Sequence, residues 1–300
     1  MKIGIDLGGS HVGVGLIEGC NLIDTDDKFF LSSDKENIEA AIERNIEELT
    51  ERLIEKNNIS MDSIESIGVA SPGTIADGKI KSWNLGLDFY DLKSVLENKY
   101  HKIVNVRNDG KCAAMAEKKF GILKDYDDCV FVNIGTGIGG AAFIGGKLLE
   151  PKKYSGFEFG HMTIVKDGIK CTCGKSGCFE RYASIKSLKQ RVTKTLDIDG
   201  TDMSGQYMRE VLMVQNEETL RDDVNDFVNC LRIGIANLID IFEPEVVCFG
   251  GSFSYYEGYP VYNQFLEEIA KDTSTFNKNL PRFVTAEFKN DAGIIGATIF

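Results

Sequence analysis

Proline is scarce, five residues in 300, and no low-complexity tract accompanies it. Nothing therefore reads as a flexible linker between lobes. Positive charge is also short: 34 Lys and Arg stand against 46 Asp and Glu, a net charge of −12, which opposes broad attraction to nucleic acid or an anionic membrane. No leader is expected, because the chain opens Met-Lys-Ile-Gly-Ile-Asp6 and so early a carboxylate breaks a signal-peptide core. The longest apolar stretch, Val130 to Leu149, carries six glycines with Asn133, Thr136 and Lys147, so it reads as strand, turn, strand rather than a membrane span. These absences leave a cytoplasmic globular protein as the expectation.

With 43% hydrophobic and 27% charged residues, the composition is that of a soluble globular chain. A length of 300 residues suits two lobes of ordinary size, and roughly three-quarters of the unfolded surface can be buried without staples. Residues 2–18 alternate apolar with small or polar around Gly8-Gly9, the pattern of a β-hairpin, and residues 129–147 do the same. The two align at a constant offset of 127: Ile3 with Val130, Asp6 with Asn133, Gly8 with Gly135, Gly13 with Gly140. Two related hairpins suggest two related lobes. Helical spacing follows in Glu36 to Asn57, through Ile38, Ile42, Ile46, Leu49 and Leu53, and across most of residues 184–242, where Val224 to Ile239 form one apolar face. Strands are predicted at Ile64 to Ala70, Ile103 to Val106 and Glu245 to Phe249, a helix at Gly110 to Phe120, and a final helix from Asn290-Asp291-Ala292-Gly293.

Asp6-Leu7-Gly8-Gly9-Ser10 places a carboxylate at a strand end before a turn whose missing Cβ atoms let a phosphate reach backbone N–H groups. It also reads as an ordinary hairpin turn. The second hairpin, Asn133 to Gly140, has more glycine than a turn needs, and its Thr136 hydroxyl can bond a phosphate oxygen. Together they suggest a clamp for a nucleoside triphosphate. Neither is a Walker loop, lacking G-K-[ST], and neither is a Rossmann turn, since each continues into a strand. Asp109, between a strand and a helix, reads either as helix N-cap or as a base taking a proton from an attacking hydroxyl. Residues 156–180 lack periodicity and read as a long functional loop. There His161 stands with Cys171, Cys173 and Cys178, one imidazole and three thiols suited to tetrahedral structural zinc. Glu158 and Glu180 on that loop are either surface glutamates or acceptors for a polyhydroxylated ligand.

These motifs, and above all Gly156-Phe-Glu-Phe-Gly-His161-Met with Cys171-x-Cys-Gly-x-x-Gly-Cys178-x-Glu180, resemble the ROK family of sugar kinases and regulators. The likeness runs from residue 3 to Asp291-Ala-Gly-x-x-Gly. It implies an α/β, actin-like ATPase (ribonuclease H-like) fold of two lobes with a hinge cleft. The lobes expected are residues 1–110 with about 290–300, and residues 111–289 with the zinc loop. It further implies ATP and Mg²⁺, a homodimer, and γ-phosphate transfer to a hexose hydroxyl. Asp109 is then the general base; Asp6, Gly8, Gly9, Ser10, Thr136, Gly137 and Gly139 the phosphate sites; Gly250 and Gly251 the adenosine loop. Asn84, Asn108, Glu158, His161 and Glu180, with Gly73, are the sugar contacts, and His161 serves both zinc and sugar. Two departures stand out. Ser10 occupies a position where the family often has Thr, and Gly110-Lys111-Cys112 replaces its usual small and amide residues. Lys111 either contacts a phosphate or modified sugar or sits on the exposed helix face.

The implied reaction is glucose to glucose 6-phosphate, with N-acetylmannosamine, fructose, allose or a β-glucoside as rival substrates. The family's repressors carry a DNA-binding module ahead of this region. A first strand at residue 2 is expected to leave no room for it, so a sugar-sensing regulator without kinase activity is the second reading. A polymerising actin-like ATPase, the third, explains neither the zinc loop nor its glutamates.

Overall fold

A computed structural model describes residues 1–151, 156–200, 203–214, 218–272 and 279–300. It divides the chain into two units: Met1–Lys124 with Glu150–Gly156 and Asn290–Phe300, and Asp125–Leu149 with Phe157–Lys289.

In the first unit, β1 (Lys2–Leu7), β2 (His11–Glu18) and β3 (Asn21–Phe29) form an antiparallel meander. Helix α1 (Ile38–Lys56) leads to β4 (Ser66–Ser71), parallel to β1. A small three-stranded sheet follows, β5 (Thr74–Ala76), β6 (Lys79–Ser82) and β7 (Leu87–Tyr90). Then come α2 (Leu92–Tyr100), β8 (Ile103–Asn108) and α3 (Asp109–Lys119). The main sheet runs β3-β2-β1-β4-β8. Strand alternation sorts its two faces. Ile3, Ile5, Leu7, Ile67 and Val69 join Ile42, Ile46, Leu49 and Leu53 of α1 in one core. The other face presents Gly4, Gly68 and Ala70 to the closing segment. At Gly68 a Cβ would overlap the Ala297 carbonyl, so only glycine lets that segment seat on the sheet.

The second unit repeats the plan. β9 (Cys129–Ile134), β10 (Ile138–Ile144) and β11 (Lys147–Leu148) form the meander, followed by α4 (Glu180–Ala183), α5 (Ile185–Leu196), α6 (Gly205–Val214) and α7 (Arg221–Phe242). β12 (Val246–Gly250) pairs parallel with β9, and after α8 (Pro260–Lys271) β13 (Arg282–Thr285) pairs parallel with β12. The sheet order, β11-β10-β9-β12-β13, is that of the first unit. Val130, Val132, Ile134, Phe227, Leu231, Ile235 and Leu238 belong to its core. The last helix, α9 (Ala292–Ala297), lies in the first unit.

The offset of 127 holds at element level: β1, Lys2–Leu7, corresponds to β9, Cys129–Ile134. The helical expectation for residues 184–242 is met by α5, α6 and α7, while its parts at 201–202 and 215–217 lie outside the described residues. The structural division keeps α3 in the first unit, whereas the expected lobe boundary of 110/111 assigns it to the second. The reason is packing: Cys112 of α3 is buried with Ala70 and Ala297. Among the described residues no helix is long and apolar enough to cross a membrane.

Candidate active site

Sheet register assembles the first unit's residues. Asp6 pairs with Ala70 at the ends of β1 and β4, and Ser71 with Asn108 at the ends of β4 and β8. Asn108, not Asp109, is the N-cap of α3: its Oδ1 accepts the Lys111 N–H at 3.3 Å, while its Nδ2 donates to the Gly73 carbonyl at 3.2 Å. The strand conformation of Asn108 makes it the cap, which leaves Asp109 as the first helical residue. There the Asp109 Oδ1 accepts the Gly110 N–H at 2.7 Å. Asp6 lies on the glycine-bearing face of β1, where burial and, second, the charge of Asp109 raise its pKa from 3.8 to about 7. Two carboxylates under that repulsion suit a divalent cation, whose charge offsets both. Beyond Asp6 the turn is closed by the Gly8 N–H donating to the His11 carbonyl at 2.9 Å, with Gly9 and Ser10 exposed. Asn84 is exposed in the turn after β6.

The second unit gathers the remaining candidates around the β9–β10 turn. Gly135 donates its N–H to the Gly137 carbonyl at 2.9 Å, leaving Thr136 at the tip. Gly250 ends β12, and Gly251 begins a 3-10 turn at φ +66°. A Cβ on Gly251 would lie 2.6 Å from the Asn133 Oδ1, so the expected adenosine loop lies beside the expected phosphate turn. Phe159 to His161 form one 3-10 turn, with the His161 N–H donating to the Glu158 carbonyl at 3.0 Å. Phe159 is buried in the core, and a Cβ on Gly160 would overlap the Ile138 carbonyl. Those two residues pin Glu158 and His161 to the start of β10. Glu180 Oε2 comes within 2.8 Å of where a Cβ on Gly137 would stand.

The ligand atoms of His161, Cys171, Cys173 and Cys178 all lie within 4.8 Å of one another. The Cys173 and Cys178 sulfurs are 3.6 Å apart, and Cys171 Sγ is 3.7 Å from His161 Nδ1. A tetrahedron of Zn–S bonds of about 2.3 Å has sulfur–sulfur edges of roughly 3.8 Å, so donor set and spacing both fit zinc. Isolated bridges Thr163–Cys178 and Lys170–Ser176 shape the loop in place of regular strands. Burial, with hydrogen bonding to Cys173 and Cys171, pushes the Cys178 thiol up to about 12. Cys173 goes the other way: burial would raise it, but the Lys175 N–H and the neighbouring thiols bring it below the usual thiol value.

Thus Asp6, Gly8 to Ser10, Gly73, Asn108 and Asp109 lie in the first unit, with Asn84 on its small sheet. Thr136, Gly137, Gly139, Glu158, His161, Glu180, Gly250, Gly251 and the cysteines lie in the second. Sequence reasoning missed the anchoring role of Gly160, although a glycine directly before a candidate ligand is a signal of close packing. It also missed the double duty of Asn108, capping α3 through Oδ1 and holding the Gly73 carbonyl through Nδ2.

Two α/β units with one shared strand order, each opening on a glycine-turned hairpin, define an actin-like ATPase fold. The chain belongs to the ROK family, whose model matches residues 2–300. It is 32% identical over 274 residues to the xylose repressor of Bacillus subtilis, covering 90% of this chain and 68% of the repressor. It is 27% identical over 315 residues to the glucokinase of Streptomyces coelicolor, covering 99% of this chain and 96% of that enzyme. Among solved structures, the ROK family glucokinase from Streptomyces griseus in complex with glucose and AMPPNP superposes with a TM-score of 0.82 at 25% identity. That match covers 99% of this chain and 97% of the other.

Proposed function

We propose that this chain is an ATP-dependent hexose kinase with glucose as its first expected acceptor. The observation that carries this reading is the Asp109 carboxylate, held at the start of α3 beside Asn108 and the desolvated Asp6. Asp109 takes the proton from a sugar hydroxyl as that oxygen attacks the γ-phosphorus; the bond to the β–γ bridging oxygen breaks, and ADP leaves with its electron pair. Asn108 spends one N–H on Gly73 and keeps the second for a sugar hydroxyl. Backbone N–H groups of Gly9 and Ser10, and Thr136 with Gly137 and Gly139, hold phosphate oxygens, while Gly250 and Gly251 give the adenosine room. Asp6 would hold Mg²⁺, which would draw charge from the phosphates.

Zinc on the His161–Cys171–Cys173–Cys178 set is structural, because four protein ligands close its coordination. His161 turns Nδ1 toward the cluster, where the Glu180 Oε1 also lies, 3.6 Å from Nδ1 and 3.3 Å from the Cys171 Sγ that donates to it; this leaves Nε2 for a sugar hydroxyl. The first unit carries the proposed base, and the second carries the proposed zinc-held contacts. Similarity to the xylose repressor over 90% of this chain supports a second reading, a sugar-responsive regulator. ADP release from zinc-loaded protein, with ATP, Mg²⁺ and a panel of free and N-acetylated hexoses, separates the two. Stimulation by one sugar is the expected result, whereas saturable sugar binding without ADP contradicts the kinase reading.

A further inference from the structure

The thiol cluster that fits zinc has an inner and an outer side. Cys171 and Cys178 are buried, whereas Cys173 is exposed in the run Thr172 to Lys175. Hydrogen bonds fold this run back on itself: the Gly174 N–H donates to the Cys171 carbonyl at 3.0 Å, and the Cys171 N–H to the Lys175 carbonyl at 2.9 Å. Gly174 at φ +91° and Gly177 at φ +77° supply the left-handed turns by which the chain doubles back between Cys173 and Cys178. The sulfurs of those two residues lie 3.6 Å apart. The Cys171 thiol donates to the Glu180 Oε1 at 3.3 Å and lies 3.7 Å from the His161 Nδ1. Cys20, the other exposed cysteine, stands in the β2–β3 turn beside Asn21.

One accessible sulfur touching one buried sulfur is the arrangement of an attacking and a resolving thiol. We propose that Cys173 and Cys178 are an oxidation site, converted by hydrogen peroxide to a disulfide that expels the zinc. The Cys173 thiolate attacks one peroxide oxygen; the O–O bond breaks, hydroxide leaves, and Cys173 becomes a sulfenic acid. The Cys178 thiolate then attacks the Cys173 sulfur; the S–O bond breaks and a second hydroxide leaves. Two thiolates have given up two electrons, and the peroxide has been reduced to two hydroxides. Zinc is held by thiolates, so the disulfide removes two of its four ligands at once. His161 then loses the metal that fixes its ring, and sugar binding weakens with it. That last consequence rests on the kinase reading for the sugar contacts; the oxidation itself does not.

Zinc-loaded protein is titrated with hydrogen peroxide beside a zinc indicator dye. Remaining thiols are then alkylated, linkages are read by peptide mass spectrometry, and glucose binding is followed by calorimetry. A Cys20→Ser variant removes the other exposed thiol. The expected result is release of about one zinc per chain, in step with a Cys173–Cys178 link and with Cys171 still alkylated, in wild type and Cys20→Ser alike. Glucose binding should be lost on oxidation and return with a phosphine reductant and added zinc. Zinc retained while Cys20 alone is oxidised overturns the proposal. So does zinc release with Cys173 carried to sulfinic acid or joined to any sulfur other than that of Cys178. Zinc loss with the Cys173–Cys178 link but unchanged glucose binding upholds the oxidation site and removes the zinc loop from the sugar contacts. The same link and zinc loss in a protein that phosphorylates no hexose uphold the site and defeat the kinase reading alone.

Discussion

At the scale of single residues, the two carboxylates of the first unit carry opposite expectations. Asp109→Asn keeps the size of the side chain and removes the proton acceptor, so turnover should fall roughly 10²- to 10⁴-fold while sugar affinity, read by calorimetry, stays within a few-fold. Near-normal turnover would remove Asp109 from its role as base. Asp6 is a matter of pH. Its folded pKa of about 7 lies above the ordinary 3.8, so between those values the folded state binds the proton that the unfolded state has lost. Stability therefore falls as pH rises from about 4 to about 7 and is level above that. With nucleotide and magnesium absent, Asp6→Asn should raise the melting temperature at pH 8 and leave it nearly unchanged at pH 4. The full shift is worth at most roughly 4 kcal/mol. An equal effect at both pH values would show that Asp6 is not desolvated.

At the scale of elements, the loop with the cysteine cluster carries three of the expected sugar contacts, Glu158, His161 and Glu180. Cys173→Ser should lose the metal and weaken sugar binding together, as followed by zinc content and calorimetry; unchanged affinity in a metal-free variant would separate the two. Loading zinc onto the free thiols near pH 7 should release about three protons, measurable with an indicator dye. Gly160→Ala should cost stability, of the order of 1–3 kcal/mol, because the added Cβ meets the Ile138 carbonyl. Chemical unfolding of the zinc-loaded protein gives that number. The hairpins, α1, α3 and the His161–Cys171–Cys173–Cys178 cluster are legible in the sequence because each is local: alternation around glycine turns, a repeat of apolar residues, four side chains able to bind a metal within eighteen residues. Strand β3 escapes the same reading. Asn21–Phe29 is a polar edge strand whose Asp24 and Asp26 pair with Lys56 and Arg52 of α1, so it lacks a buried face to betray it. The approach of Asp6 to Asp109 escapes it too, since it depends on the register of β1, β4 and β8 across a hundred residues.

At the scale of the molecule, the repeat at offset 127 explains how the chemistry is divided. Both units carry the same hairpin and strand order, yet the position of Asp6 in the first is Asn133 in the second. The first unit thus keeps two neighbouring carboxylates, Asp6 and Asp109, proposed as cation ligand and base, while the second keeps a neutral amide beside its glycine turn and adds the loop with the His161 and cysteine cluster. The most direct measurement is transfer of the γ-phosphate from ATP to glucose in a single turnover, made on zinc-loaded wild type and on Asp109→Asn, with glucose binding measured on the same samples. The account predicts that both proteins bind glucose and that only the wild type yields glucose phosphate. Binding by the wild type without any sugar phosphate, or equal yields from the two proteins, would contradict it.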